Sequence, residues 1–353
     1  MYNSIEKVSI SGMAAAVSNH WESLQKVSKE SDEVLKKFTK TTGVEGRWVS
    51  PERQTTSDLC FAAAERILNE KGLDRDQISV LVFLTQTSDY ETPSTACVLQ
   101  DRLHLSKDCL AFDVNLGCSG FTYGLTIAGS LLSTSNGNYA LVLVGDTLAK
   151  KKSSLSGEKI THAGSMLFGD AGSATILEKA EDSHLLVSSC TDGSGYRAII
   201  HPYGCWRNPD YPDGVDSQED MDDVAVFNFA TQEASSQINA YLLETETTPD
   251  DYDCLVLHQA NKMIMKRIAK KTGFSEEKNL ISIDTFANTS GASIPVTLAK
   301  TYGECNEERE IKALCCGYGV GLSWSTVAIT LNTKDIYPII HTDDYYVDGF
   351  FHQ

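Results

Sequence analysis

Apolar stretches long enough to cross a bilayer are missing from this sequence. The longest, such as residues 141–144, have the length of a buried strand. Residues 1–7 lack the basic start and apolar run of a secretion signal. The ten cysteines include no Cys-x-x-Cys pair, which argues against a structural zinc site. We therefore expect a cytoplasmic protein with reduced thiols, no bound metal and no membrane partner.

Positively charged residues are also scarce. Lysine and arginine number 30 against 48 aspartates and glutamates, so the formal net charge is −18 at pH 7. A surface with this excess repels nucleic acid, which is not expected as a partner. With 353 residues, 41% of them apolar and 22% charged, the chain has the composition of a globular protein. Its length suits one large domain or two fused halves.

Apolar runs of strand length alternate with segments of helical spacing along the whole chain. This alternation predicts an α/β architecture, with mainly parallel or mixed sheets covered by helices. We place the boundary between two halves, 1–180 and 181–353, in a charged turn near 179–183. The predicted strands include residues 80–84, 110–114, 139–144, 254–257, 281–284 and 311–315. The predicted helices include residues 57–71, 96–103, 227–243, 261–271, 294–302 and a small-residue helix that ends near 132.

Cys118 follows a predicted strand and opens a helix rich in small residues. The positive end of a helix dipole lowers the pKa of a thiol and raises its thiolate fraction. The glycines at 117 and 120 would let a substrate approach closely. A nucleophile is therefore one interpretation, and a buried structural cysteine is the other.

Two further polar residues follow predicted strands. His258 stands where strand 254–257 ends, and such strand ends face the ligand crevice in α/β sheets. Asn288 lies in a tight turn. Singly, a structural histidine and an ordinary turn asparagine are the simpler interpretations. Together with Cys118 they supply a thiolate that can hold an acyl group as a thioester, and two neutral donors that can stabilise charge on a thioester oxygen.

At these residues the chain resembles the thiolase superfamily and, within it, β-ketoacyl-acyl-carrier-protein synthase III. Cys118 and His258 are separated by 140 positions, and His258 and Asn288 by 30, close to the family's layout. The resemblance runs from about residue 9 to about residue 331. Five segments carry it, in the family's order: residues 115–121, 167–170, 258–261, 288–295 and 317–321.

The resemblance implies a five-layered αβαβα thiolase-like fold of two duplicated halves, usually a homodimer. It also implies a ping-pong reaction that needs no cofactor. An acyl group moves from a CoA or acyl-carrier-protein thioester to Cys118, and malonyl-carrier protein then loses carbon dioxide beside His258 and Asn288. Backbone N–H groups of Cys118 and Val320 would bind the first oxyanion. The residues assigned to the substrate pocket are Thr92, Phe121, Phe168 and Gly319.

The positions that grip CoA in the family differ here. Lys37 and Thr41 replace a tryptophan and an arginine, and His162 replaces a second arginine. None of these substitutes offers the stacking face of tryptophan or the planar guanidinium of arginine. An acyl donor linked to a carrier protein is therefore favoured over one linked to CoA. The alternative is that nearby lysines hold CoA instead: Lys40, Lys150 or Lys151.

Two other departures concern the acyl group and the chain end. Thr92 stands where many members have a bulky aromatic that is lent to the partner subunit's pocket, so a longer, bulkier or more polar acyl group is expected. Residues 342–348 form an acidic aromatic tail, which we expect to be solvated.

The helix after His258 is basic in an otherwise acidic chain. Acyl-carrier proteins are acidic, so we expect one to dock here, as in the resembled family. A solvated basic face with no partner is the alternative. Lys262, Lys266 and Lys270 are spaced four apart and share one face. The docking residues assigned are Lys262, Lys266, Arg267, Lys270 and Lys271.

The leading hypothesis is a β-ketoacyl synthase of specialised fatty-acid or polyketide metabolism. An acyltransferase that passes the acyl group to an alcohol or amine is the first alternative, although Asn288 argues against it. A non-catalytic partner subunit is the second, although such subunits usually lose the cysteine. Claisen-type thiolases carry a second cysteine in the glycine turn, and Cys316 is one residue off that position. Hydroxymethylglutaryl-CoA synthases rely on a glutamate, for which Glu91 is a poor positional candidate.

Overall fold

The structure, a computed structural model, describes residues 1–150, 153, 155, 163–213 and 220–350. No helix in these ranges is long and apolar enough to cross a membrane. The strands are β1 (Tyr2–Val17), β2 (Trp21–Ser23), β3 (Gly46–Trp48), β4 (Ile78–Leu84), β5 (Leu110–Val114), β6 (Tyr139–Asp146), β7 (Ala171–Thr191), β8 (Ile199–Ile200), β9 (Asp220–Met221), β10 (Cys254–Leu257), β11 (Glu310–Gly319), β12 (Ser323–Asn332) and β13 (Ile340–His341). The helices are α1 (Leu24–Val27), α2 (Asp32–Thr42), α3 (Thr56–Glu70), α4 (Thr95–Arg102), α5 (Gly120–Thr134), α6 (Asp223–Phe229), α7 (Ser235–Glu244), α8 (Lys262–Thr272), α9 (Ile283–Phe286) and α10 (Ser293–Tyr302).

Two long strands, β1 and β7, join two halves of the main sheet. β7 pairs with β6 along its first part and with β12 along its last, while β1 runs antiparallel beside both parts. The strand order is β5-β4-β6-β7 in one half and β10-β11-β12-β7 in the other. The predicted turn at 179–183 is wrong, because β7 continues through it. The division into 1–180 and 181–353 stays a prediction, and its cut falls inside this strand.

Three clusters of buried apolar side chains separate five layers. The outer clusters lie under α3 and α4 on one side and under α7 and α8 on the other. The central cluster contains α5 and α10, packed between the two halves of the sheet. Successive residues of β10 alternate between clusters: Val256 belongs to the central one, and Leu255 and Leu257 to an outer one. A strand buried on both faces explains why the apolar runs in the sequence are continuous.

The predicted strand at 281–284 is wrong. The backbone N–H groups of Ser282 and Ile283 donate to Oε1 of Gln259 (2.9 and 3.2 Å), not to a neighbouring strand. Only an isolated bridge, Leu255 to Asn279, approaches the sheet, and helix α9 begins at Ile283. The helix predicted at 227–243 begins earlier, and a π-helical segment, Ala230–Ala234, separates α6 from α7.

The acidic tail is fastened to the body of the protein. Gln54 donates through Nε2 to the carbonyl of Thr342 (2.8 Å), and the backbone N–H of Tyr346 donates to Oδ1 of Asp58 (2.9 Å). Residues 342–348 are largely exposed, as expected of a solvated tail, but polar groups of the N-terminal half hold their backbone.

Candidate active site

The chain brings Cys118, His258 and Asn288 to the wall of one cavity of about 850 Å³. Cys118 follows β5 and His258 follows β10, so each stands just beyond the C-terminal end of a strand that is paired in parallel. Asn288 follows α9 rather than a strand. The sequence therefore anticipated the meeting of the three side chains, although the local structure around Asn288 differs.

Cys118 lies on a tight turn just before α5. The backbone N–H of Gly120 donates to the carbonyl of Gly117 (2.6 Å), Ser119 is the N-cap, and the helix begins at Gly120. Cys118 is thus two residues ahead of the helix that it was predicted to open, and it is half-buried. A β-carbon on Gly319 would lie 2.6 Å from the Cys118 sulfur, so only glycine fits beside this thiol.

His258 is buried and fixed on several sides. Its backbone N–H donates to the carbonyl of Cys316 (2.9 Å), which continues the pairing of β10 with β11. The hydroxyl of Tyr318 donates to the carbonyl of His258 (3.0 Å), and the two rings meet edge to face at 5.5 Å. Nδ1 of His258 lies 2.8 Å from the hydroxyl of Ser293. Burial lowers the pKa of His258 to about 4, so the imidazole is neutral near pH 7.

Asn288 is held by both its backbone and its side-chain oxygen. Its backbone N–H donates to the carbonyl of Leu167 (2.9 Å), and its carbonyl accepts from the N–H of Gly169 (3.0 Å). Oδ1 accepts from the backbone N–H of Ser290 (2.9 Å). Because the oxygen of the amide is engaged by a donor, the NH₂ group is the part that can donate to a ligand in the cavity.

The cavity walls are largely apolar. Phe168 and Gly319, two of the assigned pocket residues, line the cavity, and so does Val320, whose backbone N–H is assigned to the oxyanion. The assignment of Phe121 to the pocket is wrong: its side chain is buried in the central core cluster, and Phe121 is not among the residues that line the cavity. Thr92 is exposed and lies outside the cavity of a single chain, so its contribution to a partner's pocket stays a prediction.

Some of the positions that bind CoA in the family, and some of the nearby lysines, lie within the described residues. Lys37 and Thr41, both on α2, line the cavity. Nζ of Lys150 donates to the carbonyl of Gln54 (2.9 Å). His162 and Lys151 lie outside the described residues.

The residues of the competing enzyme classes do not lie in this cavity. Cys316 is fully buried in β11, and burial raises the pKa of its thiol to about 12. Glu91 is exposed and is not among the residues that line the cavity. Cys316 therefore cannot serve as a second catalytic group beside Cys118, and Glu91 takes no part in the cavity of a single chain.

The basic helix α8 stands at the side of the cavity. Asn261 caps it by accepting from the N–H of Ile264 (2.8 Å), and Met263 and Ile264 line the cavity. All five assigned docking residues are exposed. Lys266 pairs with Glu276, and Nζ of Lys271 donates to the carbonyl of Thr231 (2.8 Å).

Sequence reasoning missed two residues that hold His258 in place. Ser293 opens α10 five positions after Asn288, and Tyr318 lies between Gly317 and Gly319. Both fall inside segments that carry the family resemblance, which was the available signal. Within the described residues, no group of three or more histidine, cysteine, aspartate or glutamate side chains could hold a metal ion.

Comparison with known proteins agrees with this geometry. The profile of 3-oxoacyl-[acyl-carrier-protein] synthase III matches residues 112–193, and the profile of its C-terminal region matches residues 242–331. A β-ketoacyl-[acyl-carrier-protein] synthase III of Clostridium perfringens is 33% identical over 315 residues, which cover 88% of this chain and 94% of that protein. The chain belongs to the 3-oxoacyl-[acyl-carrier-protein] synthase III family.

Solved structures agree with this assignment. A 3-oxoacyl-(acyl-carrier protein) synthase of Burkholderia xenovorans superposes with a TM-score of 0.90 at 30% identity, covering 97% of this chain and 99% of that one. A priming β-ketosynthase of the R1128 polyketide pathway has a TM-score of 0.81 at 22% identity, covering 92% of this chain and 96% of that one. The second likeness shows the fold alone. The family and the five-layered thiolase-like fold predicted from the sequence are confirmed.

Proposed function

We propose that this protein condenses an acyl group with malonyl-acyl-carrier protein, with Cys118 as the acyl carrier. The observation that carries the proposal is the presence of Cys118, His258 and Asn288 on the wall of one largely apolar cavity. A thiol, a neutral imidazole and an amide can together serve acyl transfer and enolate formation.

In the first step the thiolate of Cys118 attacks the carbonyl carbon of an acyl thioester. The oxyanion that forms is stabilised by the backbone N–H groups of Cys118 and Val320. Collapse of this intermediate expels the carrier's thiolate, which takes up a proton, and leaves the acyl group on Cys118. Gly319 permits the crowded geometry, because a β-carbon there would overlap the sulfur.

In the second step malonyl-carrier protein loses carbon dioxide. The electrons of the broken bond pass to the thioester oxygen, where the NH₂ of Asn288 and an N–H of His258 stabilise the enolate. The enolate carbon attacks the acyl-cysteine carbonyl and expels the Cys118 thiolate, which leaves a β-ketoacyl-carrier protein. The neutral imidazole suits this task because it donates without bringing a buried charge.

We further propose that the donors are thioesters of acyl-carrier protein, that α8 receives the carrier, and that the protein is a homodimer. The exposed lysines of α8 beside the cavity support the second point. Lys37 and Thr41 line the cavity at positions where the family holds CoA with a tryptophan and an arginine. Their replacement supports donors linked to acyl-carrier protein. The cytoplasm is the proposed location, since it would keep the thiols of all ten cysteines reduced.

Intact-protein mass spectrometry tests the proposal. Incubation with an acyl-carrier protein should add one acyl group to the wild-type chain, and peptide mapping should place it on Cys118. Addition of malonyl-carrier protein should then remove the label and yield a β-ketoacyl-carrier protein. Acylation at another residue, or transfer of the acyl group to an alcohol or amine without loss of carbon dioxide, would overturn it.

A further inference from the structure

The hydroxyl of Ser293 lies between two buried polar groups. Its Oγ is 2.8 Å from the carbonyl oxygen of Ser290 and 2.8 Å from Nδ1 of His258. A hydroxyl has one hydrogen, so it can donate to only one of the two at a time. Each of the three residues is about 1% exposed, so the choice is made by protein groups and not by bulk water.

This choice determines which nitrogen of the imidazole, Nδ1 or Nε2, carries the hydrogen. When Ser293 donates to Ser290, Nδ1 of His258 must hold the hydrogen, and Nε2 offers the cavity a lone pair. When Ser293 donates to Nδ1, the single N–H of the neutral ring lies on Nε2. Only the second arrangement gives an enolate oxygen a donor.

The hydrogen-bond pattern favours donation to the histidine. The carbonyl of Ser290 already accepts from the backbone N–H of Ser293, so one of its two lone pairs is engaged without the hydroxyl. The surroundings of Nδ1 of His258 differ from those of the Ser290 carbonyl. Among the described residues, the group that can donate to Nδ1 is the Ser293 hydroxyl, because the nearby carbonyl of Ser290 can only accept.

We propose that Ser293 is a positioning residue that selects the tautomer of His258. Its hydroxyl donates to Nδ1 and so places the imidazole N–H on Nε2, on the cavity side. The inference rests on the proposed decarboxylating function, and it adds a residue that touches neither the acyl group nor the malonyl thioester. Ser293 therefore serves the second step and not the acylation of Cys118.

Removal of the hydroxyl should reverse the tautomer. In Ser293→Ala the carbonyl of Ser290 is left as the neighbour of Nδ1, and an acceptor there draws the N–H to Nδ1. Malonyl decarboxylation should then fall on the order of 10²-fold, the loss expected when one donor to an oxyanion is removed. Acylation of Cys118 should proceed at the wild-type rate. Ser293→Thr, which keeps a hydroxyl, should restore decarboxylation.

Ser282→Ala is the matched control. Ser282 is also a buried serine whose hydroxyl pairs with a residue of α10, at 2.7 Å from Oγ1 of Thr297, whereas the hydroxyl beside Nδ1 of His258 is that of Ser293. Both steps should run in this variant as in the wild type. Equal loss of decarboxylation in Ser282→Ala and Ser293→Ala would reduce the role of Ser293 to packing.

Nitrogen-15 NMR of histidine-labelled protein reads the tautomer without any substrate, with the His258 signals assigned by comparison with His258→Ala. The wild type should carry its hydrogen on Nε2, and Ser293→Ala on Nδ1. A wild-type hydrogen on Nδ1, or undiminished decarboxylation by Ser293→Ala, would overturn the inference while the proposed function stands. A wild type that never releases carbon dioxide would overturn the proposed function, and the spectrum would still decide the tautomer. If the alanine variant fails to fold, the wild-type spectrum remains decisive.

Discussion

The wall of the cavity and its basic rim, formed by the exposed lysines and arginine of α8, are built in different ways. On the wall, His258 and Asn288 are buried, and hydrogen bonds to other buried groups fix both side chains. On the rim, the basic side chains of α8 are exposed, and Lys266 is paired with Glu276. Buried hydrogen bonds are little affected by salt, whereas exposed charges are screened over a Debye length of about 8 Å at 0.15 M. Changes on the wall should therefore alter chemical steps, and changes on the rim should alter encounter with the carrier.

The largest effect is expected on the wall, at Cys118. Cys118→Ser should abolish acyl-enzyme formation, because a serine hydroxyl lacks the nucleophilicity of a thiolate near neutral pH. Iodoacetamide should label Cys118 first among the ten cysteines, as read by peptide mapping. Cys97 is exposed and provides the control for simple accessibility. Preferential labelling of Cys97 or Cys316, with activity lost in step, would contradict the assignment.

The next largest effect is expected at the two donors. His258→Ala and Asn288→Ala should each reduce malonyl decarboxylation on the order of 10²–10³-fold. Self-acylation of Cys118 should remain largely intact, and release of labelled carbon dioxide measures the difference. Condensation by Asn288→Ala at the wild-type rate would make the acyltransferase that does not decarboxylate the better account.

Charge reversal on the rim should have a moderate effect on KM. The triple change of Lys262, Lys266 and Lys270 to Glu should raise KM for the carrier-bound substrate roughly tenfold, with a smaller effect on kcat. Lys271 is left unchanged because it donates to the π-helical segment. The wild-type KM should also rise with added salt.

A control of equal charge uses exposed lysines elsewhere on the chain. Reversal of Lys7, Lys179 and Lys334 changes the net charge by the same amount on elements that do not line the cavity. This variant should keep the wild-type KM, and small thioesters without a carrier should react equally with all three proteins. A KM that responds to neither salt nor the α8 triple change would place docking on another surface.

A smaller effect is expected from Thr92. Thr92→Phe should slow acylation by long or bulky acyl donors more than by short ones, because a ring would fill space that threonine leaves open. Acylation rate against chain length, compared with Thr92→Ser, gives the measurement. Unchanged selectivity would mean that Thr92 does not border the acyl pocket in the dimer.

The smallest effect concerns pH. The pKa of His258 is lowered from 6.5 to about 4 by burial, so this ring should stay neutral as the pH falls through 6.5. Neutral His258 makes its full contribution to the stability of the folded state above the unfolded-state pKa of 6.5. This contribution is lost as the pH falls toward the folded-state pKa of about 4. An NMR titration of His258 should show no protonation between roughly pH 8 and 5.5. A midpoint near 6.5 would mean that the ring is solvated.

The sequence predicted those parts of the fold that depend on buried periodicity. Strands such as β4 and β10 were found because both of their faces are apolar, and Cys118 and His258 followed from the ends of strands. The segment before Asn288 was misassigned because its apolar alternation is that of a strand, while the side chain of Gln259 takes the backbone N–H groups that a sheet would use.

Long-range side-chain contacts could not be predicted from spacing. The 342–348 tail is held by Gln54 and Asp58, which lie far away in the chain, and no local pattern signals this. Phe121 was assigned to the pocket from the family resemblance, but the packing of α5 between the sheet halves places its side chain in the central core cluster. Ser293 gains its role only from the fold that brings it beside His258.

A single-turnover experiment tests the central claim that the three residues on the cavity wall perform two linked steps. Wild-type protein, acylated on Cys118 beforehand, is mixed with malonyl-carrier protein and quenched at intervals. Loss of the acyl group from Cys118, release of carbon dioxide and appearance of β-ketoacyl-carrier protein should follow one time course with equal yields. Loss of the acyl group without an equal yield of carbon dioxide and β-keto product would contradict the account.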